Sequence, residues 1–376
     1  MKKYFVYLLK KNLLPLACLT LFCLIIYVLP ITVENYYSWN NLYDTIIENH
    51  GYYGRLNLYY GNISVVLGML SVFVPIFMFS YKMNRRSVDM HYSLPLSKTK
   101  ILISHFLVGL ILMFGAYTVA YFLGFITIAI KVDRLYLINY LWLYLGSLIP
   151  AFVAYSVTAF IFTRANTTAD GIISVAGAMC FFPMLIGMIC EIAYHFPNNI
   201  SGFDFSWFFP FSMLVKVTTA FGNAITSGEV TKLFASSSNI YEYGADIAML
   251  TGGILWTLLG GAATAGLILW EKKSKAENCG QVSESIFCYK SLIPAYTVML
   301  IATALAADAD ITFIIVIGFA AFIATVIYRR TIKIGWKQTV ILGVSIVGGI
   351  VLYAIPAFIA NLLPEPVNQM IEMLTY

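Results

Sequence analysis

Ile101–Ile130 reads ILISHFLVGLILMFGAYTVAYFLGFITIAI, thirty residues without one Asp, Glu, Lys or Arg. As an α-helix this stretch is about 45 Å long at 1.5 Å per residue. A bilayer's hydrocarbon core is about 30 Å thick and takes about 20 apolar residues to cross. The stretch is therefore expected to span a membrane, and to tilt or project beyond the lipid. It contains one histidine, His105, one turn from its start.

The rest of the chain repeats this pattern. Of 376 residues, 60% are hydrophobic and 11% charged. Soluble domains run near half apolar and about a quarter charged. The polar surface here is too small to cover a water-soluble globule. Nine apolar runs approach membrane-spanning length: Leu13–Pro30, Ile63–Tyr81, Ile101–Ile130, Asn139–Phe162, Gly171–Cys190, Ala245–Trp270, Ser291–Ala307, Ile311–Tyr328 and Thr339–Leu363. The seventh is the shortest and ends in Ala-Ala-Asp. The expected fold class is an all-α, multi-pass integral membrane protein.

Lys2, Lys3, Lys10 and Lys11 precede the first run. Such a start also suits a signal peptide. The run is long, however, and Ile31-Thr32-Val33-Glu34 offers no small-x-small cleavage site. A retained span is expected. Within residues 1–12, Lys2, Lys3 and Lys10 fall on one helical face and Phe5, Leu8 and Leu9 on another. That arrangement predicts an interfacial helix lying on the inner leaflet.

Lys and Arg set orientation, because cytoplasmic loops carry them in excess. With the N-terminus inside, the inner segments are 1–12, 82–100, 163–170, 271–290 and 329–338. They hold 18 of the 23 basic residues, and the outer segments hold Arg55, Lys131, Arg134, Lys216 and Lys232. Five acidic residues lie inside and thirteen outside, so the inner face nets +13 and the outer face −8. Nine spans then put the C-terminus outside.

Lysines at span ends read as anchors to inner-leaflet lipids. No compact basic region with stacking aromatics is present, which argues against a nucleic-acid partner. Tyr36, Tyr37, Trp39, Tyr52, Tyr53, Tyr59 and Tyr60 crowd the first outer loop and its flanks. Such rings favour the headgroup region, and a sugar- or peptide-binding surface is the sharper alternative. None of the six cysteines stands in C-x-x-C spacing, so zinc and dithiol chemistry are not expected.

The span centres lack Asp, Glu, Lys and Arg. Ion-coupled carriers keep such groups at mid-membrane, so a proton- or sodium-driven carrier is disfavoured. No G-x-S-x-G or H-E-x-x-H occurs, and no G-x-x-x-x-G-K-[ST]. Glu191 and His195 could share a helical face but lack further ligands for a metal. An enzyme is not expected, nor any catalytic residue, metal or cofactor in this chain. Gly252, Gly253, Gly260, Gly261 and Gly266 recur in the sixth run, and Gly343, Gly348 and Gly349 in the ninth. Small residues let helices pack closely in lipid.

The linker 82–100 is short and basic: KMNRRSVDMHYSLPLSKTK. Residues 83–92 can form a helix along the membrane surface. Leu94-Pro95 would stop it, because proline disfavours the helical state before it. Ser97 would then cap the next span.

Arg86-x-x-Asp89 followed by Ser93-Leu94-Pro95-Leu96-Ser97 resembles the segment between the second and third spans of type-2 ATP-binding-cassette (ABC) permeases, above all the Firmicutes-like group. The likeness is good over residues 80–105 and looser elsewhere. It includes an N-terminal interfacial helix, six spans, and a large outer loop at 191–244 with Ser206-Trp207-Phe208-Phe209-Pro210-Phe211-Ser212. Ala276-Glu277-Asn278-Cys279-Gly280 faintly echoes a Ser-Glu-x-Ala-Gly run after the sixth span of that group. The resemblance implies three regions: an interfacial helix at 1–12, a permease core at 13–270, and a C-terminal membrane segment at 271–376 with three spans beyond the six-span core.

It also implies partners. In that family, 82–100 is a coupling segment that inserts into a cleft of a cytoplasmic ABC ATPase, which binds ATP and Mg. Arg85, Arg86 and Asp89 would make polar contacts there. Tyr92 and Leu94 would fill its apolar cleft, and His91, Ser93, Pro95 and Lys98 complete the segment. A second permease copy or paralogue would complete a dimer in a bacterial plasma membrane. The implied function is export of a hydrophobic or amphipathic substrate: a peptide, drug, lipid or lipid-linked glycan. The alternatives are a non-transporting membrane sensor or assembly scaffold and, last, a secondary carrier.

Overall fold

A computed structural model describes residues 2–33, 53–131, 137–194, 215, 240–271, 279–281, 283, 285–286, 288–307, 309–329 and 335–362. Every regular element among them is helical. In lipid no water can satisfy exposed backbone groups, so helices carry their hydrogen bonds internally. Eight of the described helical stretches are long and apolar enough to cross a membrane. They coincide with all the expected spans but the fifth. The fifth falls on a 27-residue helix, Thr168–Tyr194, whose described apolar stretch is Thr168–Phe181. The first outer loop, residues 195–214 and 216–239 of the large outer loop, and the C-terminal tail lie outside the described residues.

In chain order the helices are α1 (Lys2–Lys11), α2 (Leu13–Cys23), α3 (Leu29–Val33), α4 (Tyr53–Phe79), α5 (Arg85–Tyr92), α6 (Lys98–Lys131), α7 (Leu137–Phe162), α8 (Thr168–Tyr194), α9 (Ile240–Glu271), α10 (Tyr289–Ala306), α11 (Ile311–Arg329) and α12 (Trp336–Leu362). The expected interfacial helix is α1. Its Leu8 is buried while Lys2, Lys3, Lys10 and Lys11 are exposed. Buried Asn12 closes it, its side-chain amide donating to the Leu8 carbonyl at 2.8 Å. A π-helical turn, Leu24–Val28, joins α2 to α3. Pro30 follows at once, and its ring would clash with the carbonyl four residues back in a regular helix. The wider turn relieves that clash at the point where the chain needs it.

The helices fall into two compact units. The first comprises Met1–Thr163 and Asp204–Glu277, and the second Arg164–Phe203 and Asn278–Tyr376. In the second unit α8 packs with the C-terminal helices. Its Met188 meets Met299 and Ala302 of α10, and Tyr296 donates to the Gly177 carbonyl at 2.5 Å.

In the first unit α4 packs on α7 and α6 through Ile63, Val66, Leu67, Leu70, Val74 and Met78. The three-and-four spacing places them on one face. A tyrosine seam ties α6 to α7. Tyr117 and Ser147 share a hydrogen bond at 2.8 Å, Thr118 and Tyr144 one at 2.7 Å, and Tyr121 donates to the Tyr140 carbonyl at 2.7 Å. Away from water, such hydroxyls need partners, and here each helix supplies the other's.

In the second unit the starts of α8 and α10 meet the end of α11. Tyr289 donates to Asp170, and its ring lies 4.9 Å from that of Tyr328. The connecting turn is pinned to the same end. Gly280, at φ 83°, donates its amide to the Asn166 carbonyl at 2.9 Å, and Ser283 donates to the Arg164 carbonyl at 2.9 Å. Arg164–Asp170, Gly280, Ser283, Tyr289 and the end of α11 thus gather at one end of this unit.

Candidate coupling site

The linker 82–100 forms the helix expected of it, slightly shorter than 83–92. Asn84 is extended, and its side-chain oxygen accepts the Arg86 amide at 3.1 Å, capping α5. After Tyr92 the Ser93 amide closes on the Asp89 carbonyl at 3.0 Å, and the Ser93 hydroxyl on the Met90 carbonyl at 2.9 Å. The chain then turns through Pro95. The Ser97 carbonyl accepts the Lys100 and Ile101 amides at 2.9 and 3.2 Å, opening α6 as the sequence leads one to expect.

The nine residues of the coupling segment divide between two faces. Arg85, Arg86, Asp89, Ser93, Pro95 and Lys98 are exposed, and so is Met90. His91 is buried at 5% exposure, beside Val88 at 3%. Tyr92 and Leu94 are half-buried. The Tyr92 hydroxyl donates to Glu271 of α9 at 3.2 Å, and Lys98 sits 4.9 Å from the centre of its ring. His91 and the Tyr92 hydroxyl therefore face this chain's own helices, and the exposed residues of α5 include Arg85, Arg86, Asp89 and Met90.

The inward face meets a cluster that the sequence did not single out. The Tyr4 hydroxyl lies 3.0 Å from His91 Nδ1 and 3.1 Å from His105 Nε2. One hydroxyl has one proton, so Tyr4 donates to one ring and accepts from the other. Tyr81, in the 3₁₀ turn after α4, stacks on His105 with centroids 4.1 Å apart and meets His91 edge-on at 4.9 Å. Lys82 of the same turn pairs with Glu271, whose side chain is fully buried. Through these contacts α5 is bound to the ends of α1, α4, α6 and α9 at once.

Burial, then Tyr7 nearby, raises the Tyr4 phenol to about 12, so it stays a neutral donor. Burial, then the Lys11 ammonium, holds the His91 imidazole below its ordinary range. The unfolded chain then binds more protons than the folded one below about pH 6.5. This stabilising term is whole above that pH and shrinks as the pH falls toward the depressed folded value. Thermal unfolding of the full chain in detergent at pH 7.5 and 5.5 measures it. The wild type is expected to lose more stability across that interval than His91→Asn does, and equal losses would refute the reading.

Beside the histidines lies a polar cavity of about 370 Å³, lined among others by Lys11, Asn84, Ser87, His91 and His105. Among the described residues no group of three His, Cys, Asp or Glu could hold a metal ion. The arrangement ties α5 to four helix ends through ring contacts, the Tyr92–Glu271 hydrogen bond and the buried Lys82–Glu271 pair. His105 and Glu271 carried a weak signal in the sequence, as polar residues at the edge of apolar runs. Tyr4 and Tyr81 carried none, since tyrosines are common at every interface of this chain.

No family model, curated protein or solved structure matches this chain.

Proposed function

We propose that the chain is the membrane-spanning subunit of an ATP-driven exporter for a hydrophobic or amphipathic substrate, in a bacterial plasma membrane. The observation that carries this reading is α5. It is a short capped helix with a charged outer face of Arg85, Arg86 and Asp89, bound on its inner face to the ends of α1, α4, α6 and α9. A rigid peg of this kind suits a partner that pushes. A cytoplasmic ABC ATPase, holding ATP and Mg, would seat the charged face in a cleft. Its closure would move α5 as a lever and re-pack the spans between inward and outward states. The chain itself contributes no chemistry to nucleotide hydrolysis. A second permease copy or paralogue would face a second ATPase.

The charge pattern supports the same orientation, since 82–100 belongs to the side that holds 18 of the 23 basic residues. The test is a charge reversal on the exposed face. Arg86→Glu combined with Asp89→Lys is expected to abolish co-purification with the ATPase. The permease should stay folded in detergent, because neither side chain is buried. Retained pairing with retained transport-coupled ATPase activity would overturn the proposal.

A further inference from the structure

The second unit contains a cavity of about 610 Å³ between α8, α10 and α11. Pockets for drug-sized ligands run about 300–1,000 Å³ and are mostly apolar with a few convergent polar groups. Ile173, Leu300, Ile317, Ala321, Ala324 and Ile327 supply the apolar walls. Asp170, Tyr289 and Tyr328 supply the polar end.

The Asp170 carboxylate is out of its ordinary place. Thr167 accepts the Asp170 amide at 3.1 Å, which is half of a capping box. In the complete motif the acidic side chain reaches back to the capping residue's amide. Here Oδ1 instead accepts from the Tyr289 hydroxyl at 3.3 Å. Oδ2 is buried and has no hydrogen-bond partner among the described residues. A buried carboxylate oxygen without a partner is unfavourable. The tyrosine hydroxyls around it are already used: Tyr328 donates to the Ser283 carbonyl at 2.7 Å, and Tyr296 to the Gly177 carbonyl. What remains is one anionic oxygen, two aromatic rings 4.9 Å apart, and an aliphatic chamber. Carboxylate and aromatic faces both attract a cation, and the chamber takes an apolar body.

We infer that this cavity binds a hydrophobic monocation, an alkylammonium or arylphosphonium compound, with Asp170 as its counter-ion. The site rests on the second unit alone, and so is independent of the coupling role proposed for α5. An anion of the same size would meet Asp170 unfavourably, and a neutral chain would leave its oxygen unpaired.

Labelled tetraphenylphosphonium is the probe, measured for saturable binding to the purified full chain in a neutral maltoside detergent. Tetraphenylborate, of the same shape and opposite charge, serves as competitor. Binding is expected to saturate at one site and to resist tetraphenylborate. Asp170→Asn is expected to weaken it about tenfold or more, the size of a lost charge-assisted contact. Ala324→Phe, which fills the chamber and keeps the carboxylate, is expected to weaken it as well. Each variant is checked for an unchanged elution profile and helical spectrum. Absence of saturable binding, equal affinity in Asp170→Asn, or equal competition by tetraphenylborate would overturn the assignment. The last two results would mean that an ordinary lipid chain fills the cavity.

Discussion

Replacing Lys82 with methionine is expected to destabilise the chain by about 3–5 kcal/mol, the usual effect of stripping one partner from a buried ion pair. Lys82 and Glu271 are 9% and 0% exposed at their side chains. The variant keeps the apolar stem of the lysine and removes only its ammonium. Glu271 retains the Tyr92 hydroxyl at 3.2 Å, but a neutral hydrogen bond does not make up for a lost countercharge. The measurement is the thermal unfolding midpoint of the purified full chain in detergent, read by the loss of helical signal. The double variant Lys82→Met with Glu271→Gln is expected to recover most of the loss, because the charge that needed compensation is gone. An unchanged midpoint in the single variant would show that the carboxylate is hydrated or otherwise neutralised. Because Glu271 also holds Tyr92, the same variant is expected to loosen α5.

The second large effect is expected at Gly349. A Cβ added there would lie 2.8 Å from Ile301 Cβ and 2.9 Å from the Val298 carbonyl oxygen, both on α10. The obstacle on one side is backbone, which cannot rotate away. Even alanine must therefore push α12 off α10, and leucine far more so. Overpacking of this kind costs typically about 1–3 kcal/mol, occasionally more. Gly349→Leu is expected at or above the top of that range, with Gly349→Ala between it and the wild type. Gly343 is the internal control, since a Cβ there meets nothing within 4 Å. Gly343→Leu is expected to leave the unfolding midpoint where it was. Equal effects at the two glycines would mean that α12 does not pack on α10 in this register.

How far the sequence could be read depended on whether a property was local. Span positions were legible, because an apolar run of membrane length has one stable form in lipid, the helix. The helical form of α1 and the short α5 were legible for a similar reason. Lysine spacing, the Ser97 turn and Pro95 all act within a few residues of themselves. The two faces of α5 were not legible. Arg85, Arg86 and Asp89 are exposed, while His91 and the Tyr92 hydroxyl turn inward. A helix this short has no strong apolar stripe to announce its buried face. The inward direction is set by Tyr81 and His105 from the elements flanking α5, and by Tyr4 and Glu271 from distant parts of the chain.

Ile101–Ile130 shows the same division. Its composition alone determined that it is a membrane-length helix, and the structure extends it to Lys98–Lys131. Composition also determined the class of the protein, a helical chain with membrane-length apolar helices. Only the tertiary structure decided that His105, near the start of that helix, stacks on Tyr81 and meets Tyr4. It alone decided that Thr168–Tyr194 joins the C-terminal helices, and that Gly260 and Gly349 are close contacts while Gly261 and Gly343 are not. The physical reason is that lipid rewards every apolar face alike. Hydrophobicity therefore fixes which segments enter the membrane. Which of them touch is settled by shape, by paired hydroxyls and by a buried ion pair, and those exist only once the chain has folded.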